Sequence, residues 1–126
     1  MKILIVDDSL MDRKLIMNLF KKNGINNEVL QAADGEEGLK ILSDHYQDIC
    51  LIVLDWQMPK MDGIEFMKGV VNVPEVSSIP IVMITAAGSE DSKKVAMDVN
   101  PQLAGYIVKP YTPAILIESI QSYVKN

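Results

Sequence analysis

The sequence predicts a doubly wound α/β domain, a three-layer (βα)5 sandwich around a parallel five-stranded sheet in the order 2-1-3-4-5. Three observations carry this prediction. Strand-like and helix-like segments alternate five times, with no internal repeat, linker or low-complexity tract. Ile3-Leu4-Ile5-Val6, Leu51-Ile52-Val53-Leu54 and Ile81-Val82-Met83-Ile84 are continuous apolar runs, the pattern of strands covered on both faces. The remaining early strand, Glu28-Val29-Leu30-Gln31-Ala32, is the most polar, which suits an edge. With right-handed crossovers, the order 2-1-3-4-5 puts the apolar runs inside and the polar strand outside.

Each element then has a local reason. The first strand stops at Asp7-Asp8-Ser9, and Ser9 is placed to cap a helix with Leu15, Ile16 and Leu19 inward and Asn23-Gly24 as its stop. Asp34 and Glu37 have capping-box spacing before a helix that buries Leu39, Ile41 and Leu42. The third strand runs to Asp55, followed by a turn-rich loop and a helix from about Ile64 to Val71. Pro74 and Pro80 bracket a loop before the fourth strand, Ile81 to Thr85, which leads into the small Ala86-Ala87-Gly88. Ser89 caps a fourth helix with Val95, Ala96 and Val99 as its core stripe, ended by Asn100-Pro101. Ala104 to Val108 is the fifth strand. Thr112 and Pro113 then open a helix with Leu116, Ile117, Ile120 and Val124 inward.

Composition narrows the class. A chain of 126 residues holds a single domain, residues 1–126, and 48% apolar residues fill one core. The net charge of -5 and the lack of a basic run argue against nucleic acid or an anionic membrane surface as partner. No apolar run approaches membrane-span length, and Met1-Lys2 leads into a strand instead of a signal peptide. Cys50 is the only cysteine and reads as a small buried hydrophobe just before a strand, so a reducing cytoplasm is expected.

Function is carried by what gathers at the carboxyl ends of the strands, where open α/β sheets bind ligands. Asp7-Asp8, Asp55, Thr85 and Lys109 follow strands one, three, four and five. Singly each has a plain reading as a cap, a turn-former, a β-former or a solvated amine. Their convergence on one crevice favours chemistry. Three carboxylates there cannot all stay ionised near neutral pH without a compensating cation. Oxygen-only ligands point to a hard ion, Mg²⁺ before Ca²⁺. With Lys109 and the Thr85 hydroxyl beside it, such a site suits phosphoryl transfer, with Asp55 as the in-line nucleophile and an aspartyl phosphate as product.

The motifs Val6-Asp7-Asp8-Ser9, Leu54-Asp55-Trp56-Gln57-Met58-Pro59-Lys60-Met61-Asp62-Gly63, Ile84-Thr85-Ala86 and Tyr106-Ile107-Val108-Lys109-Pro110 together resemble the receiver domains of two-component response regulators. Within that family the chain looks like the CheY-like single-domain chemotaxis regulators of flavodoxin-like fold. The resemblance implies Asp7 and Asp8 as Mg²⁺-site acids, with Asp55 as phosphoacceptor and the Gln57 carbonyl as further metal ligands. It implies Thr85 and Lys109 as phosphoryl contacts, a cis Lys109-Pro110 bond, and Tyr106 as the switching aromatic. Thr85 and Lys109 are expected to lie outside the core. The implied partners are a sensor histidine kinase or histidine phosphotransfer domain and a downstream protein, such as a flagellar switch, bound by a monomer.

Two departures from the family pattern stand out. Asp98 to Leu103 replaces the usual short Ala/Gly-rich link, and Ala87 is apolar where relatives often carry a polar residue. A haloacid-dehalogenase-type phosphatase would need a second Asp at position 57, which is Gln. A flavodoxin would need a hydroxyl- and Gly-rich first loop, where Asp7-Asp8 would repel its phosphate. A start at Met1 and an end at Lys125-Asn126 without a linker favour a stand-alone regulator, with a phosphorelay intermediate or a fragment of a longer regulator as alternatives. Met97 and Ile115 fall off the core stripes of their helices, so Lys93, Met97, Tyr106 and Ile115 are the expected partner surface on the fourth helix, fifth strand and fifth helix.

Overall fold

The structure, a computed structural model, describes residues 1–125; Asn126, part of the expected linker-free end, lies outside them. The apolar runs fold as β1 (Lys2–Val6), β3 (Ile49–Asp55) and β4 (Ile81–Thr85), and the weaker runs as β2 (Val29–Ala32) and β5 (Gly105–Val108). All pairings are parallel and the order is β2-β1-β3-β4-β5, as the hydropathy of the runs predicts. Between them run α1 (Leu10–Lys22), α2 (Gly35–His45), α3 (Gly63–Val71) and α4 (Glu90–Val99), with α5 (Pro113–Ile120) last. No described helix is long and apolar enough to cross a membrane.

The two-residue repeat of a strand sends alternate side chains to opposite faces. Ile3, Ile5, Leu51, Val53, Val82, Ile84 and Ile107 pack with Ile16 and Phe20 of α1 and Leu116 and Ile120 of α5. Leu4, Val6, Ile52, Leu54, Ile81 and Met83 pack with Leu42 of α2, Phe66 and Met67 of α3, and Ala96 of α4. All seven residues of β3 are buried, as expected of a central parallel strand. Cys50 belongs to that strand and is buried on the α1/α5 side.

Side-chain caps start every α-helix. Ser9, Asp34, Asp62, Ser89 and Thr112 each accept a backbone N–H from the first turn. The reciprocal capping box is formed at Asp62 and Glu65, on α3. At α2 the Asp34 half of the expected box is present.

The helix faces needed three corrections. On α1 the buried stripe is Ile16, Leu19 and Phe20, and Leu15 is 49% exposed. On α4, Val95 is the exposed residue, while Met97 is half-buried against the core. Both stand about 100° from Ala96 around the helix, so period alone does not choose between them; the long, flexible Met reaches inward. On the C-terminal side, α5 ends at Ile120, and Val124 packs on the core from beyond a 3₁₀ turn over Gln121–Tyr123.

One glycine holds the β3–α3 connection in place. A Cβ at Gly63 would lie 2.5 Å from the Asp55 carbonyl oxygen and 2.9 Å from the Trp56 Cα, both backbone atoms. Its N–H donates to the Trp56 carbonyl at 2.7 Å, so this close approach closes the loop that leaves Asp55 at the strand end. Gly63→Ala should destabilise the fold by roughly 1–3 kcal/mol through overpacking. Urea unfolding checks this, and an unchanged midpoint would show that the loop opens without cost.

Candidate functional site

Strand parity and sheet order build the site. Asp7 continues the Ile3/Ile5 face and Asp55 the Leu51/Val53 face, so both carboxylates emerge on the α1/α5 side of neighbouring strands. Asp7 is 2% exposed and Asp55 7%, whereas Asp8 faces solvent. Carboxylate oxygens of Asp7, Asp8 and Asp55 lie within 4.8 Å of one another. Asp7 accepts the Ser9 N–H at 2.9 Å, and Asp55 accepts the Trp56 N–H at 2.9 Å. A guanidinium N–H of Arg13 donates to the Asp7 carbonyl, tying the first turn of α1 to the end of β1.

Lys109 enters from the end of the edge strand β5, where its backbone N–H donates to the Thr85 carbonyl at 2.8 Å and the following peptide to Pro110 is cis. Its ammonium lies 3.5 Å from Asp55, 3.7 Å from Asp7 and 3.0 Å from Asp12. Asp12 is the partner that the sequence reading missed. Its one visible signal was a position three residues after the cap Ser9, which suggests only a first-turn acid.

Thr85 is fully buried, contrary to the expectation that it lies outside the core. The reason is parity. It continues the Ile81/Met83 face, toward α3 and α4, and its Oγ1 accepts the Ala87 N–H at 3.0 Å. Tyr106 packs on that same face, and its hydroxyl donates to the Ala87 carbonyl. Thr85 and Tyr106 are therefore linked through the backbone of one residue, Ala87, by its N–H and its carbonyl. Gln57 sits exposed in the β3–α3 loop, and Lys93 and Ile115 are exposed away from the crevice.

The electrostatics follow from burial. Desolvation raises the Asp55 carboxyl to about 6, Asp7 adds to the rise, and Lys109 and the Trp56 N–H oppose it. Burial also raises Asp7, against the Ser9 hydrogen bond and the Lys109 charge. For Lys109, burial acts downward but is outweighed by the Asp12 hydrogen bond and the charges of Asp55 and Asp7, so its affinity for the proton rises. One ammonium leaves this acidic cluster under-compensated. A set of converging carboxylate oxygens open to solvent through Asp8 fits a hard divalent cation such as Mg²⁺.

Comparison with known proteins agrees with this geometry. The family model described as the response regulator receiver domain matches residues 3–121. The chain is 35% identical to the chemotaxis protein CheY homolog of Campylobacter jejuni over 96% of this chain and 90% of that protein. It is 38% identical to the chemotaxis protein CheY-3 of Vibrio cholerae over 95% and 88%. Among solved structures, the CheX-CheY-BeF3-Mg+2 complex from Borrelia burgdorferi aligns with a TM-score of 0.85 at 33% identity, covering 98% of this chain and 90% of that one. Vibrio cholerae CheY4 aligns with a TM-score of 0.83 at 32% identity, covering 97% of each.

The raised Asp55 carboxyl has a consequence for stability. With an ordinary value of 3.8 when unfolded and about 6 when folded, Asp55 holds a proton in the folded state that the unfolded chain releases. Stability contributed here therefore falls as pH rises from about 4 to 6, and the ionised carboxylate costs stability at pH 7. In metal-free buffer, Asp55→Asn should stabilise the fold at pH 7 by roughly 1–2 kcal/mol, after discounting for solvent at the crevice mouth. The gain should fade toward pH 4. Urea midpoints at the two pH values test this, and a gain independent of pH would contradict it.

Proposed function

The chain belongs to the response regulator receiver domain family, and from that premise we propose that it is a stand-alone phosphorylation switch of the chemotaxis type. The observation that carries this reading is the Asp7/Asp8/Asp55 group with the Lys109 ammonium at the ends of β1, β3 and β5. In this reading residues 1–126 work as one monomeric receiver domain in the cytoplasm. The chain accepts a phosphoryl group from a histidine kinase or histidine phosphotransfer domain, and it acts as a phosphoacceptor, not as an enzyme on a separate substrate.

Asp55 is the nucleophile. One of its carboxylate oxygens forms the new O–P bond while the donor's P–N bond breaks and its electron pair leaves with the histidine nitrogen. Ionised Asp55 is available at neutral pH because its carboxyl, though raised, stays near 6. Lys109, 3.5 Å from Asp55, offsets the charge gathering on the phosphoryl oxygens. Asp7, Asp8 and Asp55, with the Gln57 carbonyl, would hold Mg²⁺. The ion neutralises phosphoryl oxygens and the crowded carboxylates when bound. With Mg²⁺ and acetyl phosphate, the protein should gain one hydroxylamine-labile phosphoryl group by mass, and Asp55→Asn should gain none. Modification of the Asn variant at the native rate would exclude Asp55 as acceptor.

The Thr85–Ala87–Tyr106 link supports a route for the signal. A phosphoryl oxygen that draws the Thr85 hydroxyl away from the Ala87 N–H would loosen the backbone of Ala87, whose carbonyl holds Tyr106. Tyr106 would then turn, changing a surface formed with exposed Val95 and Lys93 of α4 and Ile115 of α5. Val95 replaces Met97 as the apolar α4 contact, because Met97 is turned to the core. A partner reading this surface, such as a flagellar switch component, gains roughly 1–3 kcal/mol from the change. Beryllofluoride should shift the amides of Ala87, Val95, Tyr106 and Ile115. Thr85→Ala should lose the shifts beyond Ala87, and Thr85→Ser, which keeps the hydroxyl, should retain them. Equal shifts in the Ala variant would remove Thr85 from the route.

A further inference from the structure

Lys109 is pulled in two directions. Among the described residues, its ammonium makes one contact at hydrogen-bond length, with Asp12 Oδ2 at 3.0 Å, while Asp55 and Asp7 stand at 3.5 and 3.7 Å. Asp12 belongs to the first turn of α1, not to a strand end. Its side chain is 41% exposed, against 9% for Asp55 and 3% for Asp7, so its pull is directed toward the rim of the crevice. Asp12 and Lys109 also line a cleft of about 340 Å³ with Leu15, Pro110 and Tyr111, which leaves room for the ammonium on that side.

We infer that Asp12 is a positioning residue for Lys109, holding its ammonium toward α1 in the resting crevice and so weakening the grip of Lys109 on a phosphoryl group at Asp55. The inference rests on the reading of Asp55 as acceptor. An ammonium is a compact point charge whose best hydrogen bond fixes where its charge sits. Moving it fully onto a phosphoryl oxygen means stretching or giving up the Asp12 bond. Asp12 is thus a competitor for the cation that the bound phosphoryl group needs, and it sets how firmly that group is held. Because the pair is partly exposed and screened, the effect is a modest one.

The test is a titration with beryllofluoride in excess Mg²⁺, read by the fluorescence of Trp56, the only tryptophan and the neighbour of Asp55. Asp12→Asn keeps the shape of the side chain and removes its charge. It should tighten the half-saturation concentration about two- to fivefold. Asp12→Glu, which restores the charge, should return toward wild type. In a Lys109→Ala background the Asp12→Asn change should have no effect, since the cycle isolates what acts through the ammonium. An unchanged Asp12→Asn titration would overturn the inference, and so would an equal gain in the Lys109→Ala background. A wild-type protein that fails to bind beryllofluoride would instead overturn the reading of Asp55 as acceptor, and the inference with it.

Discussion

A single ammonium faces a cluster of carboxylates at the ends of parallel strands, and the rest of the structure serves that imbalance. Asp7 and Asp55 are nearly buried on adjacent strands, so neither is fully hydrated; burial raises both carboxyls, and Asp7 raises Asp55 further. Lys109 reaches both, but as one positive charge it cannot neutralise them together with Asp8 and Asp12. The fold keeps the acids there by packing what lies behind them. β1 and β3 are apolar on both faces, so a one-residue slip would bury an acid in the core and expose an Ile or Leu. The Gly63 contact and the Asp62–Glu65 box fix the chain leaving Asp55, and the Ser9 cap and Arg13 fix the chain leaving Asp7.

The sheet also separates chemistry from readout. Asp7, Asp55 and Lys109 lie on the α1/α5 side by parity and by their ion pairs, whereas Thr85 and Tyr106 continue the α3/α4 side. In the proposed function, a signal raised at Asp55 would therefore have to cross between the two faces of the sheet. Thr85 is suited to this because it stands at the end of β4, next to β3, with its hydroxyl already engaged by Ala87. Ala87 touches both partners through its own backbone N–H and carbonyl, so the connection needs no side chain at position 87. The apolar Ala87 that departs from the family pattern is therefore compatible with the proposed relay.

Most of the fold was legible because it is written in hydropathy. Three unbroken apolar runs and one polar run fixed the strand order, and Ser9, Asp34, Ser89 and Thr112 marked helix starts in residue types with a known capping chemistry. The crevice acids and Lys109 were legible because strand ends can be counted. What escaped has physical causes. Val95 and Met97 are equally placed around α4, and side-chain length, not period, decides between them. Thr85 looked like a surface hydroxyl because its burial comes from strand parity and α4, which the local sequence does not display. Asp12 meets Lys109 across 97 residues of chain, and a contact between a helix start and a strand end depends on tertiary geometry.

In the proposed function, the imbalance is also what would let a small modification act at a distance. A fully paired crevice would sit in a deep minimum, and added phosphoryl charge would only disturb it. Here burial already makes the ionised acids costly, so a divalent cation held by Asp7, Asp8 and Asp55 would offset that cost. Lys109 is shared among three carboxylates with only one close bond, so its position is decided by small differences. The Thr85 hydroxyl is held by one hydrogen bond, worth about 1 kcal/mol net, which a charged phosphoryl oxygen can outcompete. Each step of the proposed relay would thus start from a contact weak enough to be exchanged, on a sheet whose strands are too well buried to shift. A rigid frame with exchangeable polar contacts suits a switch between two discrete arrangements, one of which a partner at the proposed α4–β5–α5 surface would select.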